Sequence, residues 1–243
     1  MTMFDAAAFT ASKAKPLPVV LLLDTSGSMY GEKIASLNEA VRRMLGTFTK
    51  EESQANEFLV SIVTFGSSTG LLVPPTPASE LVYQDLTAGN GTPLGQAIGS
   101  VKSLIEDKEQ TPSRAYRPLV VLVSDGIATD SWEGPLAEFV ADGRSAKCDR
   151  MALGIGQEAY SGTGRATLEK FIEGTEHQVF EAKDAGDIHN FFKFVTMSVV
   201  TRSLSQNPNA VPQDATLQPP QAAAGAEAAT PAPATASEED SYW

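Results

Sequence analysis

Two kinds of apolar segment alternate along this chain. Mostly apolar runs of strand length lie at 19–23, 58–65 and 119–123, and such runs are typical of parallel strands that are buried on both faces. Between them, apolar residues recur at spacings of three and four near 31–50 and again after Thr92. This spacing places the apolar side chains on one face of a helix. The pattern therefore predicts strands and amphipathic helices in alternation.

The rest of the chain continues this alternation. Pro74, Pro75 and Pro77 exclude a central strand in that region and favour a loop or an edge strand. Five further elements follow in the order helix, strand, helix, strand, helix, at about 132–146, 149–156, 164–173, 177–182 and 184–203. The order predicts an α/β fold with a doubly wound, mostly parallel central sheet, helices on both faces and one short antiparallel edge strand.

The two ends differ in composition from the middle of the chain. Residues 1–16 are expected to form a flexible arm, and 17–204 the folded domain. Residues 205–243 are rich in Ala, Pro and Gln and contain five acids but no Lys or Arg. Such a segment buries too little apolar surface to offset its ordering entropy, so we predict a disordered acidic tail. Its last stretch, EEDSYW, is either solvated or a short docking motif for a partner.

Charge and composition argue against several classes of partner. The chain has 30 acidic and 18 basic residues and a net charge of −12, so no nucleic-acid partner is expected. No apolar stretch approaches the length of a membrane span, and the first residues make a poor signal peptide because Asp5 interrupts them. The single cysteine, Cys148, is expected to be a buried structural thiol. We therefore predict a cytoplasmic protein with no membrane partner.

Short oxygen-bearing side chains follow the first predicted strand in the stretch VVLLLDTSGSMYG. Asp24, Ser26 and Ser28 alternate, and Gly27 allows the loop to curl so that all three point into one small volume. Hard oxygen donors gathered in this way suit Mg²⁺, Mn²⁺ or Ca²⁺. The alternative is that this stretch only caps the helix that follows, because Asp and Ser are good N-cap residues.

Two later loops carry similar donors. Thr92 lies in GNGTPLG, directly before a predicted helix, and Asp125 lies in SDGIATD, directly after a predicted strand. Ligands of open parallel sheets bind beyond the carboxyl ends of the strands, where all three loops are expected to meet. Each residue also has an ordinary alternative. Thr92 is a good helix N-cap, Asp125 with Gly126 could form a turn, and Asp130 is expected to cap the helix that begins near Trp132.

Taken together, these motifs resemble the von Willebrand factor A domain family. Its metal-ion-dependent adhesion site uses a D-x-S-x-S pattern, here Asp24, Ser26 and Ser28, with a later threonine and aspartate, here Thr92 and Asp125. More narrowly, DTSGSMYGEKIASLNEAV, VSIVTFGS, GNGTPLGQAI and YRPLVVLVSDGIATD are similar to bacterial TerY-like proteins of tellurium-resistance and stress-response neighbourhoods. Three motifs in the right order are far more specific than D-x-S-x-S alone.

The resemblance covers roughly residues 17–204 and departs from the family at two positions. Ser124 stands where a threonine is expected, and Ala128 where a proline is common. Both replacements are mild and leave Asp125 in place.

The resemblance implies roles for the five residues. Ser26 and Ser28 would bind the metal directly, Thr92 would do so in the ligand-ready state, and Asp24 and Asp125 would act largely through waters. Neutral hydroxyl ligands leave the charge of the cation only partly compensated, so it still attracts a carboxylate of a partner protein. The resemblance further implies a non-enzymatic module whose partners are commonly a PP2C-type phosphatase and a serine/threonine kinase.

Two enzymatic hypotheses compete with this interpretation. A metal-dependent phosphatase or phosphotransferase on a similar fold would use Asp24 as nucleophile, but Ser26 stands where its second carboxylate is needed. GSSTG at 66–70 matches a nucleophile elbow around Ser68, yet the proline-rich stretch after it cannot form the required helix. His177 and His189 are isolated in the sequence and are expected to have surface or packing roles.

A further alternative keeps the fold but changes the role of the site. In it, the metal supports structure only, and another surface, such as the acidic tail, makes the partner contact.

Overall fold

The computed structural model describes residues 15–53, 56–125 and 127–209. The described residues contain six strands, β1 Pro16–Thr25, β2 Glu57–Gly66, β3 Gly70–Pro77, β4 Leu119–Ser124, β5 Asp149–Ile155 and β6 Phe180–Ala182. They also contain five α-helices, α1 Glu32–Glu51, α2 Leu94–Glu106, α3 Glu133–Ala141, α4 Gly162–Ile172 and α5 Ala185–Leu204. Short 3-10 turns lie at Gly27–Met29, Ser145–Lys147 and Gln157–Ala159.

The strands form one sheet in the order β3-β2-β1-β4-β5-β6. All neighbouring pairs are parallel except β2 with β3, which are antiparallel. The sheet grows outward from β1 in both directions, so the chain reverses its winding between β2 and β4. This is the predicted doubly wound sheet with one antiparallel edge strand, and the predicted fold class is confirmed.

Helices cover both faces of the sheet. The alternating residues Val19, Leu21 and Leu23 of β1 pack against α1 and α5. Val20 and Leu22 of the same strand face the opposite way, toward α2, α3 and α4. Every residue of β1 is buried, which is why its sequence is a continuous apolar run rather than an alternating one.

The third helix is shorter than its periodicity predicts. A helix was expected over about 132–146, but α3 ends at Ala141 and a 3-10 turn follows at Ser145–Lys147. Gly143 separates the two with a φ of +76°, a conformation that favours glycine. The Glu106 carboxylate accepts hydrogen bonds from the backbone N–H groups of Arg144 and Ser145. A side chain from α2 therefore holds the break in place.

The amino end of the parallel strands carries a buried charged cluster. Asp149, the first residue of β5, is 1% exposed, and both its carboxylate oxygens lie 3.1–3.2 Å from Nε2 of His177. Arg117 and Arg202 approach the same carboxylate at 3.8 and 4.0 Å. The sequence gives no sign of this cluster, and His177 is not isolated in the fold.

The residues just after α5 return to this cluster. Arg202 donates from Nε to the carbonyl oxygen of Pro208 at 3.1 Å, and the Arg117 N–H donates to Oδ1 of Asn209 at 2.8 Å. Residues 205–209 thus contact the domain. The predicted arm up to residue 14 and the predicted tail from residue 210 lie outside the described residues, so the predicted domain limits stay predictions.

Cys148 is buried, as expected for a structural cysteine. It is a free thiol with 2% of its surface exposed, and burial raises its pKa to about 12.

Within the described ranges, no helix has both the length and the apolar character needed to span a bilayer.

Candidate metal centre

The carboxylate of Asp24 organises the loop that follows β1. The residue is completely buried, and its Oδ1 accepts a hydrogen bond from the backbone N–H of Ser26 at 2.8 Å. This bond curls the chain directly after the strand. Its other oxygen, Oδ2, accepts from the hydroxyl of Ser124 at 2.6 Å. One oxygen of the acid is therefore held by the loop after β1 and the other by the last residue of β4.

The curl brings the two serine hydroxyls together. Oγ of Ser26 and Oγ of Ser28 are 2.9 Å apart. Ser26 is 1% exposed, whereas Ser28 faces solvent. The pair therefore connects a buried acid to the surface, as a binding site open on one side requires.

Thr92 and Asp125 lie on loops that contact this one. The Gly27 N–H donates to the Asn90 carbonyl at 3.0 Å, which ties the Thr92 loop to the first loop. Asp125 directly follows β4, the neighbour of β1, and its charge acts on Asp24. Thr92 and Asp125 are buried, at 5% and 3% exposure. The structure thus brings all five predicted residues to the carboxyl edge of the sheet.

Thr129 joins the second and third loops. Its backbone N–H donates to the carbonyl of Thr92 at 2.9 Å, and its Oγ1 accepts from the N–H of Thr92 at 2.9 Å. This pair of bonds fixes the position of Thr92 relative to the segment after β4. Neither Thr129 nor Ser124 was assigned a role from the sequence, although both belong to the SDGIATD stretch.

The charge of Asp24 is poorly compensated in the protein alone. Burial raises the pKa of this carboxyl from 3.8 to about 6, and the nearby negative charge of Asp125 acts in the same direction. The hydrogen bonds from Ser124 and Ser26 act the other way but are outweighed. Two buried acids with the paired hydroxyls of Ser26 and Ser28 therefore form a site whose electrostatics favour a cation.

The donor set fits a hard divalent cation. It offers only oxygen atoms, from two carboxylates and three hydroxyls, and these are the ligands that Mg²⁺, Mn²⁺ and Ca²⁺ prefer. Among the described residues, no three His, Cys, Asp or Glu side chains come together in a metal-binding arrangement. A site built on hydroxyl groups is consistent with that finding, since it needs only two acids.

Helix capping does not account for these residues. The N-cap of α1 is Gly31 and that of α2 is Pro93, and neither helix has a side-chain cap from its own N-cap residue. Thr92 is therefore not the N-cap of α2. The hypothesis that the Asp24 loop only caps α1 is wrong as well.

Asp130 caps a different helix from the predicted one. It was expected to cap the helix near Trp132, but the N-cap of α3 is Trp132 itself. The two carboxylate oxygens of Asp130 instead accept from the N–H groups of Gly95 and Gln96, at 2.9 and 3.0 Å. The acid thus satisfies two free donors at the start of α2 and complements the positive end of its dipole.

An Asp130→Ala chain is expected to lose about 1–2 kcal/mol of unfolding free energy. The reason is that the backbone N–H groups of Gly95 and Gln96, in the first turn of α2, lose the only side-chain acceptor that the described residues provide for them. Urea unfolding would measure the loss. Asp142→Ala is the control, because the Asp142 side chain is 85% exposed. Equal midpoints for the two variants would contradict the capping role.

The serine of the GSSTG stretch lies in a loop, as expected. Strand β3 follows it at Gly70, where a nucleophile elbow would need a helix. Oγ of Ser68 is 3.2 Å from Oγ1 of Thr64. The geometry of a nucleophile elbow is absent from this stretch.

Sequence comparison associates the chain with one family. The profile described as von Willebrand factor type A domain matches residues 19–194. The bovine inter-alpha-trypsin inhibitor heavy chain H3 is 26% identical over 200 residues, which are 76% of this chain and 22% of that protein. The chain spans 18% to 22% of the length of the curated relatives it matches.

Solved structures share the fold at low identity. A von Willebrand factor type A protein from Catenulispora acidiphila superposes with a TM-score of 0.58 at 19% identity, covering 76% of this chain and 43% of the other. Proximal thread matrix protein 1 from the mussel byssus, with a zinc-occupied MIDAS motif, gives a TM-score of 0.55 at 16% identity. That match covers 78% of this chain and 48% of the mussel protein, and MIDAS stands for the metal-ion-dependent adhesion site.

Proposed function

Because the chain belongs to the von Willebrand factor type A domain family, we propose that it is a non-enzymatic module that binds a divalent cation and, through it, a carboxylate of a partner protein. Domains of this family are generally adhesion and interaction modules rather than enzymes. The proposed metal residues are Asp24, Ser26, Ser28, Thr92 and Asp125.

One observation carries the proposal. The hydroxyls of Ser26 and Ser28 are 2.9 Å apart at the surface end of the site, and the buried carboxylate of Asp24 lies behind them. Direct ligands that are neutral leave much of the charge of a divalent cation uncompensated, so a cation bound there would favour an anionic oxygen from outside. A partner's Asp or Glu is the matching group.

The geometry of Asp24 supports a positioning role rather than a nucleophilic one. Its oxygens already accept from Ser26 and Ser124, and the side chain has no exposed surface. In such an arrangement the acid orients the loop and the hydroxyls, as outer partners do at other metal sites.

The choice of cation follows from the oxygen donors. We propose Mg²⁺ as the resident ion, with Mn²⁺ or Ca²⁺ as alternatives, because all three prefer oxygen ligands. The zinc-occupied motif in the mussel protein supports a divalent cation at this place in the fold.

Removing both serine hydroxyls is expected to weaken Mg²⁺ and Mn²⁺ binding by at least about 10-fold to 100-fold, the loss that is typical when only an outer partner of a metal ligand is removed, because here two direct ligands are lost. The measurement is isothermal titration of each ion into the chelator-treated Ser26→Ala/Ser28→Ala chain. Ser79→Ala, an exposed serine after β3, is the matched control and should bind as the unmodified chain does. Unchanged affinity in the double variant, with the fold retained, would contradict the proposed site.

The proposed partners follow from the narrower resemblance. The motifs similar to TerY-like proteins suggest a cytoplasmic stress or defence signalling system with a PP2C-type phosphatase and a serine/threonine kinase. Co-purification with such partners in Mg²⁺ and in EDTA would test this. Metal-dependent capture that is lost in the double serine variant supports the proposal, whereas capture that persists in EDTA favours another surface of the domain.

A further inference from the structure

A groove of about 390 Å³ lies between α1 and α5. Its floor is formed by Ala40, Met44 and Phe192. Met197 lies at its edge and is 46% exposed. The groove is on a side of the sheet, whereas the metal centre is at the carboxyl edge.

The rim of the groove is basic in an acidic protein. Arg43, His189 and Lys193 line it, and no Asp or Glu is among the described residues that do so. The chain as a whole has 30 acidic and 18 basic residues. Arg43 is paired with Glu39 through Nε at 2.7 Å. Among the described residues no carboxylate is paired with Lys193, so we take Lys193 as the cation of the rim that is open to a new partner.

We propose that residues 238–243 of this chain dock into the groove between α1 and α5. The segment reads EEDSYW, with three acids followed by two aromatic side chains. Tyr242 and Trp243 supply large apolar surfaces with a polar group at one end, which suits an apolar floor under a polar rim. Glu238, Glu239 and Asp240 complement the basic residues.

The path of the chain makes this docking possible within one molecule. The described chain ends near Arg202, because Nε of Arg202 donates to the carbonyl oxygen of Pro208. Arg202 is six residues further along α5 than Thr196, which lines the groove. At a rise of 1.5 Å per residue, this separation is about 9 Å. Residues 210–237 link the end of the described chain to the proposed docking segment. A flexible chain of that length has a root-mean-square span of about 30 Å, which exceeds the distance from Arg202 to the groove. The linker is therefore long enough to bring 238–243 to the groove.

Tethering strengthens a weak contact. A short linker gives the docking segment a local concentration of about millimolar, so even modest affinity keeps the groove covered. This inference does not depend on the metal centre. The groove would be a second binding surface, which residues 238–243 of the same chain occupy. A partner with a similar acidic and aromatic segment could bind there only by displacing those residues.

The experiment uses the full chain with Trp132→Phe. The chain has two tryptophans, Trp132 and Trp243, so Trp243 becomes the only fluorescent indole. Docking predicts blue-shifted emission and slow quenching by acrylamide. The Stern–Volmer constant is expected to rise about twofold or more when Lys193→Glu is added, because the tethered contact opens. Lys108→Glu, an exposed lysine that follows α2 on the other face, is the matched control and should change nothing.

Charge reversal distinguishes docking from a loss of structure. Adding Glu239→Lys to the Lys193→Glu chain should restore at least part of the protection of Trp243. Equal quenching in the parent and Lys193→Glu chains, at the rate of a free indole, would overturn the proposal. Protection that disappears on dilution would overturn it as well, because the segment would then be held by a second copy of the chain.

Discussion

An Asp24→Asn chain is expected to unfold at a higher urea concentration than the unmodified protein in metal-free buffer at pH 7.5, and to show no stabilisation by Mg²⁺. Asparagine has the same shape, and its amide can accept from the Ser26 N–H and donate to the Ser124 hydroxyl. The substitution therefore keeps the loop but removes a buried charge that the protein alone does not compensate.

The pH dependence follows from the raised pKa of Asp24. Because the pKa is about 6 in the folded chain and 3.8 ordinarily, the folded state holds the proton more tightly than the unfolded state. The resulting stability is fully present below about pH 4 and is lost as the pH rises through 6, which amounts to about 3 kcal/mol. The Asp24→Asn chain should lack this dependence. Urea midpoints between pH 4 and 8, in EDTA, would measure it.

Addition of Mg²⁺ supplies the second half of the test. The unmodified chain should gain stability with ion concentration, since a ligand that binds only the folded state stabilises it by mass action. The Asp24→Asn chain should gain none. Asp142→Asn, which changes an exposed acid, is the control. Its unfolding free energy should rise with Mg²⁺ as that of the unmodified chain does. A lower midpoint for Asp24→Asn in EDTA would show that the carboxylate is stabilising without metal and would contradict the electrostatic argument.

An Asp149→Ala chain is expected to lose about 3–5 kcal/mol of unfolding free energy, because removing one member of a buried ion cluster leaves the others without compensation. Arg202 is 1% exposed and lies 4.0 Å from the Asp149 carboxylate. Burial by itself would raise the pKa of Asp149, but the hydrogen bond and charge of His177, with Arg202 and Arg117, lower it overall. The carboxylate is therefore held in its charged form.

The sign of the pH effect is opposite to that of Asp24. Since the folded pKa of Asp149 is lowered, its contribution is present above the ordinary pKa of 3.8 and is lost as the pH falls through the folded value. The unmodified chain should weaken at acid pH through this group, and the Asp149→Ala chain should not. Urea unfolding at pH 3 to 7 would measure the difference.

The cluster lies at the amino end of the strands, away from the metal centre, so Mg²⁺ affinity should be unchanged in any Asp149 variant that folds. Asp149→Asn provides that comparison if the alanine variant is too unstable to titrate. A loss below about 1 kcal/mol for Asp149→Ala, within the range of an exposed ion pair, would contradict the assignment of a buried cluster.

Local patterns were sufficient to predict the fold and the location of the candidate site. The apolar run of β1 and the three-and-four spacing in α1 depend only on neighbours in the sequence, and both elements were predicted within a few residues of their observed limits. Asp24 and Asp125 were placed at one edge because the ends of parallel strands share an edge. That reasoning needed strand order and direction but no side-chain contact.

The contacts that complete the site could not be predicted in this way. The hydroxyl of Ser124 reaches Asp24 across 100 residues, and Asp130 binds the start of α2 across 35. The pattern of short polar residues in SDGIATD was visible, but it fits a cap of the next helix equally well. Which helix Asp130 caps depends on how α2 and α3 pack.

The sequence alone determined the doubly wound sheet, the helices on its faces and the loops that carry the oxygen donors, because hydrophobic periodicity is a local property. Only the tertiary structure decided that Ser124 binds Asp24 and that Asp149 meets His177 and two arginines. For Ser124 and Asp24 the physical reason is register: β1 and β4 must align to the residue before these two side chains meet, and a shift of one position turns a strand side chain to the opposite face. The Asp149 cluster depends instead on how α5 and the segment before β6 pack against the start of β5.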